Sequence, residues 1–163
     1  MHNNEFIAKR VTRSYQQMIN APASVVFPLI CPVREAEWLD GWDYRLVYSE
    51  SGFAEEGCVF TSSQTEEKDT IWLITKRDED NKEIEFARIT PESRVAKLNI
   101  SVEEIENENS RVHITYTYTA LNESGNKFIE AFTEAKFNES MKFWEDSMNY
   151  FLRTGEKLIR RHP

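Results

Sequence analysis

Hydrophobic and polar positions alternate through the middle of the chain and recur at helical spacing near its end. The alternation is cleanest in RVHITYTYTAL (111–121). There Val112, Ile114, Tyr116 and Tyr118 share one face, and His113, Thr115, Thr117 and Thr119 share the other. A period of two marks a half-buried antiparallel strand. Extended segments are also predicted for AKRVTRSYQQMI (8–19), DYRLVYSE (43–50), GCVFTSSQ (57–64), TIWLITKR (70–77), IEFARIT (84–90) and RVAKLNISVEEI (94–105). Ser51-Gly52, DEDNK (78–82), Pro91 and Asn107-Glu-Asn109-Ser separate the later ones, and these are residue types that favour chain reversal.

Helical signals are short between the first and second strands. Pro22 suits the first turn of a helix, but Pro28 and Pro32 limit how far it runs. A second short helix is predicted from about Val33 to Leu39, stopping at Gly41. Two apolar stripes follow the last strand: Phe128, Ala131, Phe132 and Ala135, then Phe137, Met141, Trp144, Met148 and Phe151. At about 100° per residue these stripes are roughly half a turn out of phase, so one straight helix cannot bury both. The pattern predicts a short helix ending near Ala131 and a long one over 134–160, about 40 Å in length. Thr133 is its expected N-cap and Glu134 favours the positive end. Phe132 and Phe137 have the spacing of a hydrophobic staple.

The fold class implied is α+β: a seven-stranded curved antiparallel sheet wrapped around a long C-terminal helix, with two short helices between strands 1 and 2 plugging one end. A cavity is expected where helix, sheet and plug meet. Composition fits a single domain over residues 1–163, with 29% charged and 40% hydrophobic residues. The net charge of −8 argues against a nucleic-acid partner, because phosphate binding needs a basic surface. Arg153, Lys157, Arg160 and Arg161 instead suit the C-terminus of the long helix and its unpaired carbonyls. No apolar run is long enough for a membrane span, and MHNNEFIAKR lacks the apolar core of a signal peptide. The expected location is cytoplasmic, with Cys31 and Cys58 reduced. No metal or cofactor is expected, since neither cysteine has a histidine close in sequence.

This order of elements, with INAPASVVFPLI (19–30) leading into the short helices and TYTAL (117–121) before the terminal ones, resembles the START-like, birch-pollen-allergen-like superfamily (SRPBCC, helix-grip fold) over nearly the whole chain. CPVREAEWLDGW (31–42), Trp72 and FLRTG (151–155) resemble its polyketide cyclase/dehydrase-like branch. The superfamily includes lipid carriers, hormone receptors, cyclases, aromatases and co-chaperone domains. No motif in this chain selects one of these roles.

Trp38 and Trp42 either line the pocket mouth or seal the end of the core, Trp38 being the expected pocket contact. Cys31 has Arg34 one turn away but no histidine base nearby, and a small buried thiol is its expected state. Glu35 is a general base if the pocket raises its pKa, and otherwise a solvated charge. Arg88 shares parity with Ile84 and Phe86, so it either points inward, toward a ligand oxyanion or an internal acid such as Glu35, or snorkels outward. Tyr116 and Tyr118 are expected on the concave face, where a hydroxyl can orient a ligand or donate a proton. The face of Trp72 stays open, because TIWLIT is apolar on both parities. Met141, Trp144 and Met148 are core residues that also wall the cavity where it is open.

The expected function is binding of a hydrophobic or aromatic small molecule, with Trp38, Trp72, Arg88, Tyr116, Tyr118, Met141, Trp144 and Met148 as contacts. Two alternatives remain. One is a cyclase- or dehydratase-type enzyme in which Glu35, Arg88 or Tyr116 moves protons. The other is a co-chaperone-like interaction module whose core is filled by its own side chains. A monomer or a weak dimer through an edge strand is expected.

Overall fold

The computed structural model describes residues 5–63 and 68–160, so Gln64 of the third predicted strand and Arg161 of the basic cluster lie outside the described residues. Seven strands form one antiparallel sheet: β1 (Arg10–Ile19), β2 (Tyr44–Tyr48), β3 (Val59–Ser62), β4 (Thr70–Asp78), β5 (Glu83–Thr90), β6 (Arg94–Ile105) and β7 (Asn109–Ala120). Their order is β1-β7-β6-β5-β4-β3-β2. Strands β2 to β7 therefore form a meander, and β1 closes beside β7. Two short helices, α1 (Ala23–Val26) and α2 (Pro32–Trp38), stand between β1 and β2. Two more, α3 (Glu123–Ala131) and α4 (Glu134–Thr154), follow β7.

Register aligns the inward residues in rows across the concave face. One row runs Phe60, Trp72, Arg88, Ala96 and Tyr118. The neighbouring row runs Ile74, Phe86, Leu98 and Tyr116. The alternation read in β7 is observed, with Val112, Ile114 and Tyr118 buried on the face toward the helices. Trp72, whose face the sequence left open, points inward with Thr70 and Ile74, while Ile71 and Leu73 are exposed on the outer face. Both parities of β4 are apolar because its outer side also carries hydrophobic residues.

The out-of-phase stripes do break into two helices. Thr133 caps α4 by accepting a hydrogen bond from the Lys136 N–H at 3.3 Å, and Phe132 sits 6.2 Å from Phe137, ring centroid to centroid. Helix α4 packs on β1, where the Met18 N–H donates to the Glu145 carboxylate at 2.6 Å and the Gln17 side-chain amide donates to the Met141 carbonyl at 2.9 Å. It ends at Thr154, short of the predicted residue 160. Gly155 adopts φ +76° and returns its N–H to the Phe151 carbonyl at 2.7 Å, a left-handed cap that stops the helix. Its length is about 32 Å. Beyond the cap the chain turns back to the plug, where Leu158 bridges Leu39 and the Arg160 N–H donates to Asp40 Oδ2 at 2.9 Å. Of the basic residues assigned to the helix end, only Arg153 among those described lies in the last turn; Lys157 and Arg160 belong to this returning tail. Among the described residues no helix is long and apolar enough to cross a membrane.

Helix α3 rests on the β5–β6 turn through Gly125. A Cβ built there would lie 1.9 Å from the Ser93 carbonyl oxygen. Gly125→Ala is therefore expected to lower stability by about 2 kcal/mol, by forcing the helix off the turn. Chemical denaturation with an unchanged slope measures this. An unaltered midpoint would show that α3 does not seat there.

Candidate functional site

A cavity of about 300 Å³ lies between the concave face of the sheet, α2 and α4. That is the lower end of the size range of small-molecule sites. Six aromatic residues contribute to its wall: Trp42, Phe60, Trp72, Phe86, Tyr116 and Trp144. Leu39, Leu98 and Ile100 add aliphatic surface. Glu35, Ser62 and Arg88 supply the inner polar groups, and Asp43 and Ser63 lie at the exposed rim.

The sheet side is built around Trp72. Its ring stacks on Phe60 at 5.2 Å and 14°, meets Phe86 edge-on at 5.8 Å, and donates its indole N–H to Ser62 Oγ at 2.8 Å. The Arg88 guanidinium lies 4.8 Å from the Trp72 ring centroid, a cation–π arrangement across the β4–β5 pair. Arg88 thus follows the inward parity of its strand.

The plug side is built by α2, which starts at Pro32 with its fixed φ. Arg34 pairs with Glu37 on the outer side of this helix, whereas Glu35 turns into the cavity. Burial pushes the Glu35 carboxyl up to about 8. No neighbouring cation or hydrogen bond offsets that effect among the described residues, so the group is largely protonated at neutral pH. Burial likewise raises the Tyr116 phenol; Tyr118 and Glu35 act in the same direction and Arg88 opposes them. Glu35, Tyr116 and Arg88 are therefore brought to one cavity, from α2, β7 and β5.

The two plug tryptophans exchange the roles expected of them. Trp38 is fully buried, donates its indole N–H to the Leu29 carbonyl at 3.1 Å and meets Trp144 edge-on at 5.1 Å. It clamps α2 onto α4 and does not line the cavity. Trp42 lines it instead, because Gly41 at φ +82° turns the chain back toward the sheet. Its indole N–H reaches the Pro32 carbonyl at 2.9 Å, and its ring stands edge-on to Trp72 at 5.8 Å.

Other expected contacts lie outside the cavity. Met141 and Met148 are buried in the core and do not reach the wall. Tyr118 shares the concave face with Tyr116 but packs against Phe128 and Phe132 beneath α3. Cys31 is buried, with its sulfur 3.3 Å from the Ala54 N–H that donates to it, in a separate surface pocket with Arg34 and Arg77. Among the described residues no cluster of histidine, cysteine and acidic side chains could hold a metal. Sequence reasoning missed Phe60, Ser62 and Phe86 as wall residues. Phe86 was legible from its shared parity with Arg88, whereas β3 is too short for its alternation to stand out.

No protein-family model matches the chain, and no curated protein matches it. Solved structures do. A norcoclaurine synthase from Thalictrum flavum, in complex with dopamine and hydroxybenzaldehyde, is similar at TM-score 0.63 and 10% identity, over 91% of this chain and 88% of that one. The Zhui aromatase/cyclase from Streptomyces sp. R1128 is similar at TM-score 0.65 and 9% identity, over 92% and 100%. A putative uncharacterised protein from Rhizobium leguminosarum is similar at TM-score 0.65 and 13% identity, over 92% and 99%. At these identities the likeness is one of architecture. The strand order, the plug and the covering helix together give the chain the START-like, birch-pollen-allergen-like (helix-grip) fold.

Proposed function

We propose that this chain binds a hydrophobic or aromatic small molecule in the cavity between sheet, plug and α4. Trp72, Arg88, Tyr116 and Trp144 are its contacts, joined by Trp42 and Glu35. The observation that carries this reading is the open space of about 300 Å³ among six aromatic side chains. Rings of that size close a core efficiently when they meet one another, and here they surround a void large enough for a ligand. An interaction module with a filled core would not need that space. The similar structures support the reading in kind: one holds two small aromatic molecules, and another is of an aromatase/cyclase.

A cyclase- or dehydratase-type activity is a second reading, favoured by one observation, the protonated Glu35 facing the same cavity as Tyr116 and Arg88. Such an acid delivers a proton to a ligand carbonyl or departing hydroxyl, and the guanidinium stabilises the oxyanion that develops.

The binding reading is tested with N-phenyl-1-naphthylamine, an uncharged probe that fluoresces in apolar surroundings. Saturable one-to-one binding is expected. Ile100→Trp, which intrudes on the cavity wall, should weaken it at least about tenfold, while Phe53→Ala at the separate surface pocket leaves it unchanged. Equal binding by the parent and Ile100→Trp would place the probe elsewhere.

The acid reading is tested by stability against pH. The folded pKa of Glu35 lies above its unfolded value, so the folded state holds the proton longer. The parent therefore loses stability as pH rises from about 4.5 to about 8, by at most about 1.4 kcal/mol per pH unit, and nothing further above that. Glu35→Gln should remove this slope, so the variant gains on the parent across that window. Parallel curves for the two proteins would show an ordinary solvated carboxyl.

A further inference from the structure

A second pocket, of about 210 Å³, opens between α2, the β2–β3 loop and the end of β4. Cys31 and Ala54 are its buried members, and the Ala54 N–H donates to the Cys31 sulfur at 3.3 Å. Pro28 and Phe53 add apolar surface, and Arg34 and Arg77 bring two guanidinium groups from different elements. Among the described residues it shares no lining side chain with the main cavity.

In a chain of net charge −8, two cations converge here and no acidic side chain lines the pocket among the described residues. Arg77 is held in place, with only 12% of its side chain exposed. Its guanidinium lies 4.6 Å from the Phe27 ring centroid, and Nε and Nη2 donate to Glu79 Oε1 at 2.9 and 2.8 Å. Nη1 is buried and has no hydrogen bond among the described residues. A buried donor without an acceptor is costly, so this position calls for one. Arg34 pairs with Glu37 through Nε, on the outer side of α2. The neighbouring acid, Glu55, is committed to its own loop, accepting from the Ser49 hydroxyl and the Ser51 N–H at 2.7 Å each.

The same loop keeps an aromatic ring in the open. The Ser49 hydroxyl donates to the Phe53 carbonyl at 2.7 Å and accepts the Gly52 N–H at 3.0 Å, while the Phe53 side chain stays half-exposed at the pocket. Charge and apolar surface together select the occupant. A cationic ligand meets two guanidinium groups with no carboxylate between them. A bare inorganic anion satisfies the arginines but leaves Phe53 and Pro28 uncovered. A flat carboxylate matches a guanidinium edge to edge, and an attached ring covers the apolar side. The volume lies below the range of drug-sized sites, so a single ring fits.

We propose that this pocket is a second binding site, for a single-ring aromatic carboxylate. Arg34 and Arg77 receive its charged end, and its ring lies against Phe53 and Pro28. The site is separate from the cavity between sheet, plug and α4, and it stands or falls independently of that cavity's function.

Titration of the amide NMR spectrum with benzoate, benzamide, benzylammonium and inorganic phosphate tests the proposal. Benzoate should shift the Ala54 amide, the donor to Cys31, saturably with a Kd of about 1 mM or tighter. The other three probes should bind at least about tenfold more weakly. Arg77→Gln should weaken benzoate at least about tenfold. Arg34→Gln, at a partly exposed side chain, should weaken it about fivefold and serves where Arg77→Gln does not fold. Phe53→Ala should weaken benzoate about threefold, and Ile100→Trp in the main cavity should leave it unchanged. Three results would overturn the proposal: an Ala54 amide unmoved by benzoate at about 20 mM, phosphate binding as tightly as benzoate, or shifts centred on Ser62 and Ser63 that Ile100→Trp removes. The last would place the anion in the main cavity and leave the reading of that cavity intact.

Discussion

One helix cannot cover seven strands. At about 4.8 Å between neighbours the sheet is roughly 30 Å across, while a helix with its side chains is about 10–12 Å wide. In this chain α4 lies on β1, and α3 extends the cover over β7. Among the described residues no helix packs extensively on strands β3 to β5, and the cavity separates them from α2 and α4. Their apolar face is closed by large side chains, Phe60, Trp72 and Phe86, and by Trp42 reaching over from the plug. The cavity is the space that this mismatch leaves, and its position follows from where the helix is anchored.

The plug fixes how much of that space stays open. Trp38 locks α2 against Trp144 of α4, and the returning tail ties Asp40 to the backbone of Arg160. These contacts hold the plug at the end of the sheet and set the direction in which Glu35 points. Glu35 is thus turned inward by architecture: α2 is only seven residues long, and with Trp38 committed to the core, the helix carries Glu35 toward the cavity as well. Glu37, by contrast, stays exposed on the outer side of the helix, paired with Arg34. The same short segment therefore supplies a structural clamp, a cavity wall and a titratable group.

The fold was legible because its signals are periodic. The alternation in β7, the half-turn phase break between Phe128 and Phe137, and the cap at Thr133 each predict one geometry, and each is observed. The end of α4 was missed because Phe151 extended the apolar pattern into a Lys/Arg-rich tail, and the left-handed turn at Gly155 overrode it. The site was less legible. Arg88 and Tyr116 could be placed by strand parity. Trp38 and Trp42 could not, because which of two tryptophans reaches the cavity depends on the backbone turn at Gly41 and on the partner Trp144, distant in sequence. The two methionines of α4 illustrate the same limit: a helix stripe identifies a core-facing side, and only the position along the sheet decides which of its members meets open space.

The most direct measurement of the central claim is a crystal structure of the protein grown with N-phenyl-1-naphthylamine. The account predicts the probe inside the cavity, against Trp72, Trp42 and Trp144, with α2 and α4 still clamped through Trp38. A cavity filled by the protein's own side chains, with the probe on the outer face of the sheet beside Ile71 and Leu73, would contradict it.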